Sequence, residues 1–175
     1  MLRPPRLAAI AAGIFLIAGV GATIPASAVA PGSAAAAPTL AAARVTNARW
    51  GGHRSFDRLV IDVRGTLPPV TVRPVRTLRH DGSGSRVPLA GKYFLEIKLS
   101  PAAAHDDRGR SVYRGPKTVR IWLPALKGLA LTGDFEGAVT FGAAFDAKPV
   151  FRTARMHSPE RFVLDVRHPS TACRA

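Results

Sequence analysis

Ser158-Pro159-Glu160-Arg161-Phe162-Val163-Leu164-Asp165-Val166-Arg167, close to the C-terminus, has a near copy in Phe56-Asp57-Arg58-Leu59-Val60-Ile61-Asp62-Val63-Arg64. Aligned from Glu160 and Asp57, both read acidic, Arg, apolar, Val, apolar, Asp, Val, Arg. β-Branched and aromatic residues at this density suit a pleated, half-buried surface. Side chains alternate across a strand, so Leu59, Ile61 and Val63 share one face, as do Phe162, Leu164 and Val166. The opposite faces carry Arg58, Val60, Asp62 and Arg64, and in the copy Arg161, Val163, Asp165 and Arg167. The two stretches read as equivalent strands of one β domain, and neither sets a nucleophile beside a base.

Outward from these copies, short strand-like runs recur between turn residues. Val45 to Trp50 stops at Gly51-Gly52, and the first copy ends at Gly65. Val70 to Val75 contains Pro74, which cannot donate to a ladder, so it reads as an edge strand. Tyr93 to Leu99 and Thr118 to Leu123 alternate clearly, Leu126 to Thr132 is a further candidate, and Val150 to Met156 leads into the last copy. His80 to Ser85 and Pro101 to Pro116 read as loops, and Gly133-Asp134-Phe135-Glu136-Gly137 as a compact acidic turn. About eight strands with no convincing helix predict an all-β fold, a sandwich or barrel.

Residues 1 to 43 are different in kind. Met1 to Arg6 is basic, Leu7 to Ile24 is apolar, and Pro25-Ala26-Ser27-Ala28 has the small-residue pattern of a signal-peptidase site. The expectation is a signal peptide over 1–28, its helix outside the fold, with an uncleaved membrane anchor as the alternative. An Ala/Pro-rich spacer follows over 29–43, then the domain over 44–169 and a tail over 170–175. The folded part is thus expected to be exported, extracellular or associated with the cell wall. Membrane contact, if any, would come only through an uncleaved signal.

The chain carries 25 Lys and Arg against 11 Asp and Glu, a net charge of +14. Removing Arg3 and Arg6 with the signal lowers this to +12 in a mature chain. Such an excess attracts polyanions or simply keeps the chain soluble. Export makes intracellular nucleic acid a poor explanation of the charge, which leaves anionic lipid or acidic cell-wall polymer. The lone Cys173 cannot form an internal disulfide.

Little in the sequence points to catalysis. His105-Asp106-Asp107 lacks the converging third and fourth ligands of a metal site and reads as a solvated loop. Ser55 and Ser158 have no nucleophile elbow around them. Asp134 and Glu136 would be the carboxylate pair of a small wall hydrolase, but beside glycine they read more simply as turn and strand-end residues. Trp50, Tyr93, Tyr113 and Trp122 read mainly as core or core edge. Trp122 alternates with Arg120, and on an open face that pair would suit an acidic glycan.

The copies, above all Ser158 to Val166, resemble the signature strand of AMIN domains. The longer arrangement resembles the AMIN-like domain of exported actinobacterial proteins. The matching features are Phe56-Asp57-Arg58, Tyr113-Arg114-Gly115, Gly133-Asp134-Phe135-Glu136-Gly137 and Arg161-Phe162-Val163-Leu164-Asp165-Val166, spanning roughly Arg44 to Pro169. The resemblance implies a β-sandwich module of the cell envelope, non-catalytic and without cofactor or metal. No amidase domain accompanies it here. The expected ligand is peptidoglycan or an associated anionic wall polymer. The residues singled out for it are Arg58, Arg64, Arg161 and Arg167, whose alternative is pairing with Asp62 and Asp165, together with Arg120 and Trp122. Another envelope protein, bound at the sheet edge near Val70 to Val75, is the competing partner.

Overall fold

The computed structural model describes residues 43–170. The expected signal peptide, most of the spacer and Cys173 lie outside these residues. The described chain is all-β. Its strands are β1 (Ala43–Gly52), β2 (Phe56–Arg64), β3 (Val70–Val75), β4 (Tyr93–Leu99), β5 (Ala102–Ala103), β6 (Thr118–Arg120), β7 (Leu126–Phe135), β8 (Ala138–Phe145), β9 (Phe151–Met156) and β10 (Arg161–Arg167).

Two five-stranded sheets pack face to face, one ordered β5-β1-β2-β10-β9 and the other β3-β4-β8-β7-β6. The two sequence copies, β2 and β10, are direct antiparallel neighbours, with Leu59 opposite Leu164 and Arg58 opposite Asp165. Leu59, Ile61, Val63, Phe162, Leu164 and Val166 are all buried, and they meet Leu95, Ile97, Leu129, Phe141 and Phe145 of the second sheet in one core.

The outer faces of the two sheets differ. Residues 76–92 fold back over the second sheet, so that Leu78 and Val87 bury against Phe94, Ala130 and Ala144. This double covering explains why all eight residues of β8 are buried and why its composition is mostly small. A Cβ at Gly142 would stand 2.7 Å from both methyl carbons of Leu78. The first sheet carries Arg49, Arg58, Arg152 and Arg161 on the uncovered side.

Several expectations need correction. Among the described residues there are ten strands rather than about eight. The strand expected over Thr118 to Leu123 ends at Arg120, because the chain turns over residues 121–125 to enter β7, with the Ile121 N–H donating to the Lys127 carbonyl. The polar loop from Pro101 begins with three buried alanines, two of which form β5, parallel to β1. Alanine has no β-branch, so this piece gave no strand signal. Val150 to Met156 alternates in sequence but not in burial. All six residues of β9 are exposed, because it is an edge strand.

The acidic turn is shorter than its sequence suggests. β7 runs through Phe135, which pairs with Ala138, leaving a two-residue loop of Glu136 (φ +48) and Gly137 (φ +70). Two positive φ values define a type I′ hairpin, whose preferred sequence is Asn-Gly. A glutamate there is unfavourable, since only Gly and, less often, Asn or Asp occupy that region readily. Glu136→Asn is therefore expected to raise stability by about 0.5–1 kcal/mol. The check is a higher urea midpoint at unchanged slope; an unchanged or lower midpoint would refute the turn assignment.

Candidate ligand-binding cleft

The open face of the first sheet places charges in register. Arg58 donates to Asp165 through two nitrogens, at 2.6 and 2.9 Å, and Arg152 of β9 adds a third bond to the same carboxylate at 3.1 Å. Both guanidinium groups lie over the Phe56 ring, at 5.3 and 5.6 Å from its centroid, and His53 stacks on the other part of that aromatic patch at 4.4 Å. Arg58 is thus engaged within the protein. One strand further, Arg49 of β1 grips Asp62 through two bonds, at 3.0 and 3.1 Å. The expected pairing of Asp165 with a repeat arginine holds. Asp62 pairs with β1 instead, while Arg161, its register partner, donates to the Pro159 carbonyl at 3.1 Å.

Arg58 above all, then desolvation in opposition and Arg152 in support, leaves the Asp165 carboxyl below its ordinary range. A depressed folded-state value stabilises the fold fully above the unfolded value of about 3.9, and that contribution is lost as pH falls through the folded value. The parent is expected to lose stability more steeply below about pH 4 than Asp165→Asn. Parallel denaturation midpoints of the two proteins over that range would contradict the assignment.

At the end of the same sheet a cleft of about 1070 Å³ opens between the β1–β2 pair, the 111–114 segment and the turn before β10. Its lining includes Thr46, Asn47, Arg49, Arg64, Arg114 and Ser158. Arg64 ends β2 and is exposed. Arg114 is set by its surroundings: its N–H donates to the Thr46 carbonyl at 2.8 Å. The neighbouring Tyr113 ring packs on Phe141, with centroids 5.8 Å apart, and its hydroxyl donates to the Pro116 carbonyl. Burial pushes the Tyr113 hydroxyl up to about 12, so it stays a donor. Gly115 is required here, because any Cβ would run into the Tyr113 ring.

Among the described residues neither Arg64 nor Arg114 has a carboxylate partner, whereas the other arginine on the cleft, Arg49, is taken by Asp62. Two guanidinium forks are therefore available to a ligand, and planar forks match carboxylate and phosphate. Glu160 also lines the cleft but is bound to His157 at 2.7 Å, which holds its carboxyl below the ordinary range. Ser158 sits at φ +56, an uncommon conformation for a non-glycine residue of the kind that accumulates at ligand sites.

Of the six residues expected to bind a ligand, the structure brings only Arg64 into this cleft. Arg161 is next to it in sequence but bonds to the turn, and Arg167 is exposed at the far end of β10, opposite Phe56. Arg120 ends β6 of the other sheet and Trp122 follows it in the turn, where Trp122 is 83 % exposed and the Arg120 guanidinium lies 5.7 Å from its ring centroid. Both side chains are exposed, although much of that face lies under residues 76–92. Tyr93 is exposed as well, against the expectation of core aromatics, whereas Tyr113 is buried and Trp50 packs against the core.

The residues weighed for catalysis are dispersed or occupied. His105 bonds to Asp134 at 2.7 Å, Asp106 to Arg110 at 2.8 Å, and Asp107 to Arg44. The His-Asp-Asp triplet thus points to three different partners. Asp134 also accepts the Ala104 N–H at 2.8 Å, so both of its oxygens serve the junction with β5, and Glu136 stands on the hairpin turn. Sequence reasoning missed Arg49 and Arg114; the latter was visible only as part of Tyr113-Arg114-Gly115.

Compared with known proteins, residues 43–168 match the family model described as the AMIN-like domain. No curated protein and no solved structure matches the chain.

Proposed function

This chain belongs to the AMIN-like domain family, and from that membership we propose that it is an exported module that binds peptidoglycan or an anionic polymer attached to it. At the level of the family, such domains are non-catalytic binding modules of the cell envelope, typically periplasmic or extracellular. One observation carries the finer reading: the unpartnered Arg64 and Arg114 share a cleft at the end of the open, arginine-bearing face. A wall polymer offers carboxylates or phosphates in series, and the end of β2 together with a loop already tied to Thr46 meets them with little further ordering. The overall excess of positive charge steers such a ligand toward the protein.

Sedimentation with purified cell walls over a salt series tests this. Retention at low ionic strength that falls as salt rises is the expected result. Absence of retention even at low salt would end the proposal. We assign no reaction to the protein, since Asp134 is committed to structural hydrogen bonds. Zymography on wall material, with Glu136→Gln beside the parent, checks that point, and clearing by the parent alone would reverse it.

The free edges of β3 and β9 favour a second reading, an interaction subunit of an envelope complex. Main-chain and apolar association of that kind would survive salt that strips a charge-held polymer.

A further inference from the structure

β9 pairs on one side only, with β10. The Arg167 N–H donates to the Val150 carbonyl, which puts Val150 and Arg167 at a hydrogen-bonded position of the ladder just beyond the strand. Bonded and non-bonded pairs alternate in an antiparallel ladder. Arg152, Ala154 and Met156 therefore spend their main-chain groups on β10. Phe151, Thr153 and Arg155 aim theirs outward, where no strand meets them among the described residues. No proline interrupts the six residues, and all of them are exposed.

Beside this edge lies an apolar slot of about 450 Å³ between the two sheets, within the usual size range for ligand sites. Val75, Tyr93 and Phe151 line it, and Arg76, Lys92 and Lys148 stand at its rim with no acid among the lining residues. None of these three cations has a carboxylate partner among the described residues. At the other end of β9, Arg155 closes the gap between the sheets by donating to the carbonyls of Leu67 and Pro68. Phe151, Thr153 and Arg155 pair with Val166, Leu164 and Phe162, residues of the core-facing side. Their side chains thus lie on the slot side of the sheet.

We propose that β9 accepts an added strand from an acidic partner protein, an extended segment with an apolar side chain at every second position. Its main chain bonds to Phe151, Thr153 and Arg155. Residues directly opposite share a face, so its apolar side chains enter the slot while its alternating acids meet Arg152 on the outer side, and acids flanking the paired segment reach the cationic rim. Main-chain bonds supply affinity and the slot supplies selectivity. A second copy of this chain fits poorly: its own β9 carries Arg152 and Arg155 and no acid, so it would add positive charge to an edge that is already cationic.

The test uses the full chain and a short synthetic peptide of alternating valine and aspartate. A lysine-for-aspartate analogue and a peptide N-methylated at every second residue serve as controls. Thr153→Pro removes an outward N–H while sparing the bonds to β10, so thermal melting close to the parent's is expected with binding weakened roughly tenfold or more. Amide exchange at Phe151, Thr153 and Arg155 should be fast in the free chain and slowed by the acidic peptide. If Thr153→Pro also lowers the melting temperature, the N-methylated peptide and the exchange pattern decide in its place. Equal binding of the N-methylated or lysine peptide would overturn the proposal, as would slow exchange at those amides without peptide. Retention on cell walls does not depend on this edge, so either result leaves the polymer reading to its own test.

Discussion

Asp57→Ala is expected to cost about 3–5 kcal/mol of folding stability. The Asp57 side chain has no solvent exposure. One carboxylate oxygen accepts the N–H groups of Ala125 and Leu126, at 2.7 and 2.9 Å, and the other meets His168 Nε2 at 2.9 Å. These bonds tie the start of the first copy to the start of β7 in the opposite sheet, and to the residue just after β10. Alanine would leave two buried donors unmet, at about 1–3 kcal/mol each. Against a total stability of about 5–15 kcal/mol, the variant would sit near unfolding at room temperature. Asp57→Asn retains an acceptor for the two N–H groups and should lose less. His168→Ala gives up one partly exposed bond and should lose about 1 kcal/mol. Urea midpoints at constant slope would rank the three. A loss below about 1 kcal/mol for Asp57→Ala would mean that the inter-sheet tie is unimportant.

Arg64→Ala combined with Arg114→Ala is expected to weaken binding to purified walls by about a hundredfold. A hydrogen bond to a charged group is worth about 1.5–3 kcal/mol, and 1.4 kcal/mol is a factor of ten. Neither side chain supports the fold through a carboxylate, so the double variant should melt as the parent does. Arg58→Ala is the informative contrast. It removes an arginine of the same charge whose fork is filled by Asp165, so it should lower stability while leaving retention nearly intact. Equal loss of retention in the two proteins would show that net charge alone, rather than the cleft, holds the polymer.

The repeat was the most informative part of the sequence. Its alternation assigned the buried face of β2 and β10 correctly, and the arginine-aspartate pattern foretold the clasp between Arg58 and Asp165. Asp57 was readable in principle, since its parity places it with Leu59, Ile61 and Val63 on the core side. A carboxylate in that row requires buried donors, and those donors come from residues 68 and 69 positions away in the chain. Arg114 shows the opposite limit. Its position depends on a backbone bond to Thr46 and on Tyr113 packing over Phe141, neither of which leaves a periodic trace. The alanines of β5 were silent for a related reason, because small residues fill space without declaring which conformation they fill it in.

Residues 76–92, folded over one sheet and not the other, give the molecule a reverse side. That flap carries Arg76, Arg79, Arg86 and Lys92 against the single acid Asp81, so the capped side is basic as well, but by way of a chain segment laid over the sheet rather than by the strands themselves. A polymer held in the cleft of the first sheet would therefore leave the flap, with Arg79 and Arg86, on the side turned away from it.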